Sequence, residues 1–464
     1  MYKIEPYVDK YSIYDDNRLK QFIIQLENQY ELINNVENFS ALVNFSQNGF
    51  LPYHGWFKYR EGYGSALVRS IIEEEALSEN EFVIDPFSGS GTTLVEASLQ
   101  GYNSFGIDVN PMSSFVADTK VKRYTTREIE SIKSHMDFIE KGLPLQMKDF
   151  DIDEDLSLEY RWEYLRKYFQ KIYLEDLKFI VEYVESIKET KIRNFFLTAC
   201  LAVTEEISDR RRDGNGLKKA PSKIQSVASK YKLQVDQMLS DVINYPIPSN
   251  GEGKVISSTA VELSEHAQLF SKKTNKVPGV IIFSPPYANS FDYFESYKME
   301  LHLGGFVNSS SDMKELRNKA VHSFIKSSKD QPKVEWFIDE MALEIERSIP
   351  EKEKRTGKVD SRTRKVPALI RGYFYDMGKV LKACSDTLPN GKRTYIVVDQ
   401  SAYLGKIVPT DLFLAKIAEK YGFVVEKIIV CRKAKTSAQQ YKLYPYLENT
   451  LRESIVVLRK DIQE

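Results

Sequence analysis

Cysteine is scarce in this chain. Three in 464 residues, Cys200, Cys384 and Cys431, give neither the paired spacing of a metal site nor the framework of a disulfide-stapled fold. The expectation is a reduced, cytoplasmic protein without a structural metal. Long apolar runs are also missing, so no segment reads as a bilayer span, and Met1-Tyr2-Lys3-Ile4-Glu5-Pro6 lacks the layout of a signal peptide. Nor is there an excess of one charge: 65 Lys and Arg face 66 Asp and Glu, a net of −1. Whole-molecule attraction to nucleic acid is therefore excluded, and any such contact must come from local basic patches. What the chain does have is apolar residues at 42%, with 28 tyrosines and 25 phenylalanines. That suffices for a large core, and the length calls for more than one domain or for large insertions.

The stretch Glu81 to Pro111, EFVIDPFSGSGTTLVEASLQGYNSFGIDVNP, carries the first chemistry. Phe82-Val83-Ile84 reads as a buried parallel strand. It stops at Asp85-Pro86 and a glycine turn, Phe87-Ser88-Gly89-Ser90-Gly91, follows. Thr92 and Thr93 lead into a helix that Gly101 ends, and a second strand, Ser104 to Ile107, finishes on Asp108. This is the front half of a nucleotide-type α/β site. Glycines 89 and 91 let a ligand approach the backbone, and Asp108 is placed to accept from two ribose hydroxyls. Asp85 could hold an ammonium or order the turn. The third glycine of a dinucleotide turn is missing, and so is the lysine of a P-loop. A turn offering ribose and amine contacts without a phosphate clamp suits S-adenosyl-L-methionine.

The second motif closes another buried strand, Val280 to Phe283, with Ser284-Pro285-Pro286-Tyr287. The prolines stiffen the backbone and remove N–H donors that would compete for nearby acceptors. An exocyclic amine on an aromatic base is a poor nucleophile because its lone pair is delocalised. Hydrogen bonds from it to the Ser284 side chain and the Pro285 carbonyl could aim that lone pair at a methyl donor, and Tyr287 offers a ring for stacking.

DPFSGSGTT with GIDVNP, followed far downstream by SPPY, resembles the amino-methylating DNA methyltransferases, which act on cytosine N4 or adenine N6. The resemblance implies a Rossmann-like class I α/β sheet with helices on both faces, here with an inserted helical subdomain. It implies S-adenosyl-L-methionine as cofactor, held by Asp85, Pro86, Phe87, Ser88, Gly89, Gly91, Thr92, Asp108 and Val109. Thr259, after the strand-and-turn pattern Lys254 to Leu263, is expected at the adenine. Ser284, Pro285, Pro286 and Tyr287 become the catalytic set, and the serine form is most typical of cytosine-N4 enzymes. Double-stranded DNA is the implied partner, with a cognate restriction endonuclease as a possible second one. The cofactor motif precedes the catalytic motif here, whereas many SPPY enzymes have the reverse order. An RNA or protein amine methyltransferase would share the core but usually carries Asn or Asp before Pro-Pro-Tyr. A non-catalytic nucleic-acid binder should have lost one motif.

The chain divides accordingly. Residues 1–124 hold the N-terminal region, with a helix expected near Asn17 to Val36, and the cofactor half. Residues 125–250 read as a helical insertion, with runs such as Glu154 to Phe169, Leu174 to Ile187 and Arg193 to Ile207. Within it lies a glycine-bent loop, Ser208 to Lys223, bearing Arg210, Arg211, Arg212, Lys218, Lys219 and Lys223, a candidate DNA contact. Residues 251–305 contain SPPY. Residues 306–371 form a polar and basic insertion, with Arg362, Arg364 and Lys365 as a second candidate DNA surface. Residues 372–464 complete the catalytic domain, with a helix expected over Tyr373 to Leu388, strands at Thr394 to Val398, Phe423 to Val430 and Glu453 to Leu458, and antiparallel closing strands.

Overall fold

A computed structural model describes residues 2–3, 12–60, 62–146, 160–214, 216–289, 291–324, 332–434, 438–447 and 450–462. The expected helix over Glu154 to Phe169 lies partly outside them, and its described part is Tyr160–Leu165.

The strands in chain order are β1 (Tyr2–Lys3), β2 (Leu32–Asn34), β3 (Glu81–Asp85), β4 (Asn103–Asp108), β5 (Arg210–Asp213), β6 (Gly216–Lys219), β7 (Gly253–Ser257), β8 (Val277–Phe283), β9 (Arg393–Asp399), β10 (Ser401–Tyr403), β11 (Lys406–Val408), β12 (Phe423–Lys433) and β13 (Arg452–Lys460). Nine of them form one sheet in the order β1-β2-β12-β13-β9-β8-β3-β4-β7. Neighbours β7, β4, β3, β8 and β9 are all parallel. Strand β13 runs antiparallel to β9 and β12, which leaves β12 parallel to β9. The expected α/β sheet is present, but one closing strand is reversed rather than a set of them.

Period-two alternation explains why both faces are covered. Phe82 and Ile84, Ile281 and Phe283, Ile396 and Val398, and Val456 and Leu458 enter one core with helices Leu263–Thr274, Trp336–Arg347, Val366–Thr387 and Thr410–Glu419. The residues between them, Val83, Val280, Ile282, Tyr395, Val397, Ile455 and Val457, enter the opposite core, where helix Ser65–Glu75 packs. Between β4 and β7 the chain makes a series of helices, among them Thr126–Gln146, Lys171–Ser186, Thr190–Ile207 and Val227–Asn244. These build a third core with Tyr53, Trp56, Phe57 and the segment 294–324.

Three local expectations need correction. The first helix stops at Gln29, and Leu32–Asn34 is a strand instead, paired in parallel with Ile428 to Val430. Sheet pairing has overridden the helical spacing of Leu32. Ser208 to Lys223 is not an irregular loop: Arg210 to Asp213 pairs antiparallel with Gly216 to Lys219. The helix expected from Tyr373 begins at Val366, with Pro367 in its first turn where the missing N–H costs nothing. Remote contacts join the N-terminal segment to the β10–β11 hairpin: Tyr14 Oη donates to the Ile407 carbonyl and Lys406 Nζ to the Ile13 carbonyl, each across 393 residues, while β2 on β12 closes the sheet's outer edge.

Candidate active site

The glycine turn after β3, Asp108 at the end of β4, Thr259 beyond β7 and Ser284 beyond β8 all stand at the carboxyl edge of the sheet. Strand order reverses there, between β3 and β8. Open α/β sheets bind ligands at such a point. A cavity of about 420 Å³ opens there, lined by Pro86, Phe87, Ser88, Gly89, Ser90, Thr92, Asp108, Val109, Thr259, Ser284 and Pro286 among others. Two motifs almost two hundred residues apart thus share one chamber.

The turn itself is built by hydrogen bonds. Gly89 and Gly91 have φ of 49° and 92°, values a side chain would strain, and a Cβ on Gly91 would sit 3.0 Å from that of Ala117. Gly89 N donates to Asp108 Oδ2 at 2.9 Å and Asn110 N to Oδ1 at 2.8 Å. Each carboxylate oxygen keeps a lone pair, which is what two ribose hydroxyls need. Burial pushes the Asp108 carboxyl up to about 6, against the pull of those two donors.

Asp85 is occupied internally. It accepts from Phe87 N and from Tyr63 Oη, both at 2.9 Å, and Tyr63 Oη also meets Thr93 Oγ1. Of the two roles considered for it, the geometry is that of ordering the turn. Burial raises its carboxyl to about 7. Asp85 and Gly91 do not line the cavity; they shape the loop that does.

At the second motif, Ser284 Oγ donates to Tyr287 Oη at 3.2 Å. The serine's lone pairs therefore remain available to an N–H in the cavity. Burial, with Asp399 and Glu453 nearby, holds the Tyr287 phenol well above its usual range, so it stays neutral. Pro285 is buried, and neither it nor Tyr287 lines the cavity. Tyr293 and Phe294, a few residues downstream, do line it.

Two further segments complete the walls. One is a strap, Phe45 to Tyr63, contributing Phe45, Asn48, His54, Phe57, Lys58 and Tyr59 to the walls, with the exposed Phe50 at the rim. Tyr53 in it has φ of 62°, an outlying value for a bulky residue. It is held there by Asp241, whose Oδ2 accepts from Tyr53 N and Trp56 Nε1, both at 2.9 Å. His54 Nε2 meets Glu96 Oε1 at 2.9 Å, and burial lowers the imidazole below its usual range. The second segment is Lys319 to Phe324, where His322 Nδ1 meets Asp376 Oδ2 at 2.5 Å. In the sequence, Leu51 to Val68 reads LPYHGWFKYREGYGSALV, dense in aromatics and broken by glycines. The second segment carried no signal beyond Phe324.

The basic candidates separate by their partners. Arg212 is buried, paired with Glu205 and Glu300, and lies 4.4 Å over the Tyr297 ring. Its charge is consumed inside the fold, and a phosphate cannot reach it. Arg211 Nη1 donates to the carbonyls of Glu205, Ser208 and Arg210, capping helix Thr190–Ile207, and Arg210 donates to the carbonyls of Asp209 and Lys167. Lys218 and Lys219 on β6 are exposed, as are Arg362, Arg364 and Lys365. Arg364 makes a two-point pair with Glu353 at 2.8 and 2.9 Å. Among the described residues no group of three or more His, Cys, Asp or Glu could hold a metal ion, and no helix is long and apolar enough to cross a membrane.

A family model described as DNA methylase, of the N6/N4 type, matches residues 8–114. That span includes the glycine turn and Asp108. Over that span the chain is similar to the N6/N4 amino-methylating DNA methyltransferases. The Type II methyltransferase M.BsoBI of Geobacillus stearothermophilus is 25% identical over 94% of this chain and 92% of its own length. The Type II methyltransferase M.AvaI of a Nostoc species is 27% identical over 90% and 89% respectively. M.MjaII of Methanocaldococcus jannaschii is 29% identical over 27% of the chain. The first two alignments run through the helical segment between β4 and β7, so the chain is similar to those relatives over nearly its whole length.

Proposed function

We propose that the chain transfers a methyl group from S-adenosyl-L-methionine to the exocyclic amine of a base extruded from DNA, cytosine N4 in the first place. One observation carries this: Ser284 lines the same chamber as Gly89 and Asp108. The donor set fits the cofactor. Asp108 has two acceptor positions left for ribose hydroxyls. The left-handed Gly89 brings backbone to the cavity wall, and Val109 and Thr259, which line the same cavity, would meet the adenine. When bound, the cofactor supplies an electrophilic sulfonium methyl. Ser284 Oγ, its own hydrogen turned to Tyr287, accepts from the amine N–H and orients its lone pair. Pro285 and Pro286 keep that acceptor fixed, and Tyr293 offers the ring for the base. Base extrusion is needed because the amine of a paired base faces its partner strand. The serine before Pro-Pro-Tyr supports cytosine over adenine.

The test is to incubate the purified protein and labelled cofactor separately with DNA, RNA and protein, and to sequence the DNA of an expressing host for modified bases. Label in DNA and N4-methylcytosine in a fixed context are expected. N6-methyladenine would overturn the choice of base, and label confined to RNA or protein would overturn the reading.

A further inference from the structure

We propose that Phe50 is the ring that enters the duplex when the target base leaves it. The proposal rests on the base-extruding methyltransferase reading above. Phe50 is 87% exposed, more than any other large apolar side chain among the described residues. Scattered apolar side chains on a surface are ordinary. This one stands on the rim of the chamber that holds Gly89, Asp108 and Ser284. A phenyl ring left in water at that place has its apolar surface available for whatever arrives with the substrate.

The exposure does not come from a loose loop. Phe45–Phe50 is a 3₁₀ segment whose first turn is closed by Asn44, accepting from Ser46 N at 3.0 Å. Asn48 clamps it to the cofactor side: Nδ2 donates to the Tyr63 carbonyl and Oδ1 accepts from Ser65 N, both at 3.0 Å. A Cβ on Gly55 would meet the Gly49 carbonyl oxygen at 2.8 Å, so the two turns are in close contact. Phe50 is thus a side chain on fixed backbone, tied to the first turn of helix Ser65–Glu75.

What surrounds it points to nucleic acid. Along the strap, Lys58 is highly exposed and meets Glu206 at 3.1 Å, while Arg60 Nη2 donates to the Arg212 carbonyl on β5. The rim is therefore continuous with the hairpin that exposes Lys218 and Lys219. The chamber is also lined by Lys319, which is exposed and paired with Glu315. Both rim lysines already face a carboxylate, so the ring is the distinguishing element. A duplex whose phosphates lie against the hairpin would bring its bases to the mouth where Phe50 stands. Extruding a base leaves a gap and forfeits stacking. An aromatic or apolar wedge placed in that gap recovers part of the loss.

The experiment uses the full chain with two oligonucleotides carrying the sequence context found by methylation sequencing: a matched duplex, and the same duplex mismatched at the target pair. A mismatched base costs less to extrude. For Phe50→Ala, turnover on the matched duplex is expected to fall about tenfold or more. On the mismatched duplex it should stay within about threefold of wild type, and calorimetric affinity for the cofactor should be unchanged. Phe50→Trp should keep the matched rate. An unchanged matched rate in Phe50→Ala, or an equal loss on both duplexes, overturns the proposal. So does a parallel fall in cofactor affinity, which would make Phe50 part of the cofactor wall. Absence of DNA methylation by the wild-type protein would instead overturn the proposed function, and the wedge with it.

Discussion

Tyr59 and Tyr297 stack face to face, with ring centroids 5.0 Å apart and planes within 2° of parallel. Tyr293 continues the column at 6.1 Å and 12° from Tyr59. The Arg212 guanidinium caps its other end over Tyr297. Tyr59 also lies against the glycine turn, where a Cβ on Gly89 would be 3.0 Å from its ring. Tyr297→Ala should therefore loosen the turn and weaken cofactor binding about tenfold, through the loss of stacking and cation–π contacts. Tyr297→Phe keeps the rings and gives up only the acceptor for Arg60 N, so it should stay within about threefold. Calorimetric titration of the cofactor reads both.

Ser284→Ala and Asp108→Ala should separate chemistry from binding. Removing the Ser284 hydroxyl takes away an acceptor for the amine, so methyl transfer should fall about a hundredfold or more while cofactor affinity persists. Asp108→Ala should reverse the pattern and weaken cofactor binding by at least about tenfold. Tyr287→Phe removes the group that takes the Ser284 hydrogen. It should lower the rate constant at saturating cofactor without changing affinity. Single-turnover kinetics beside equilibrium binding distinguish the three. Full activity of Ser284→Ala would remove that residue from the mechanism.

The two carboxyls of the site set a pH dependence. Asp108 is raised to about 6 and Asp85 to about 7, in both cases chiefly by burial. Folded values above the free value of 3.8 mean that the folded chain holds these protons more tightly. Their contribution to stability is therefore full below pH 3.8 and is lost as pH rises towards 6 and 7. If the cofactor ribose is held as proposed, Asp108 must be ionised to accept two hydroxyls, so affinity should fall as pH drops through about 6. Acidification from pH 8 to 5 should thus remove cofactor affinity before it unfolds the protein. Circular dichroism alongside calorimetry would show it, and coincident loss of both would contradict it.

Lys120 is a buried cation with little to hold it. Its Nζ reaches the His54 carbonyl at 3.4 Å, and burial lowers its ammonium to about 7. A depressed lysine penalises the fold at low pH, and the penalty fades as pH rises from about 7 to 10.5. Lys120→Met fills similar volume without the charge and should stabilise the protein by about 1 to 3 kcal/mol at pH 7. The gain should shrink towards pH 10. Thermal melts at the two pH values test the sign.

The hairpin offers a salt-dependence test. Lys218→Ala and Lys219→Ala should each weaken DNA binding at all sequences and reduce the slope of log affinity against log salt by about 1. Arg212→Ala should behave differently, leaving Glu205 and Glu300 without their cation and lowering thermal stability.

The central strands were legible because each is a short apolar run that ends on a polar residue at the carboxyl edge: Ile84 before Asp85, Ile107 before Asp108, Phe283 before Ser284. Burial on both faces produces such runs, and ligand chemistry at the carboxyl edge ends them. Leu32–Asn34 was not legible, because two apolar residues at an edge owe their conformation to a partner far along the chain. The roles of the hairpin arginines were hidden as well. Composition counts Arg210, Arg211 and Arg212 as a cationic patch, whereas geometry turns one inward and sets the other two on carbonyl oxygens. The 45–50 and 319–324 walls reach the site through tertiary packing, which neither spacing nor periodicity records.

The remote closure of the sheet edge has a kinetic consequence. Strand β2 can find β12, and Tyr14 and Lys406 their partners, only after nearly the whole chain has been made, and the entropy of closing so long a loop is spent at that moment. The centre of the sheet and the helical core between β4 and β7 draw on much nearer residues and can assemble while synthesis continues. The N-terminal edge should therefore be the last region to gain protection from hydrogen exchange on refolding and the first to lose it in mild denaturant.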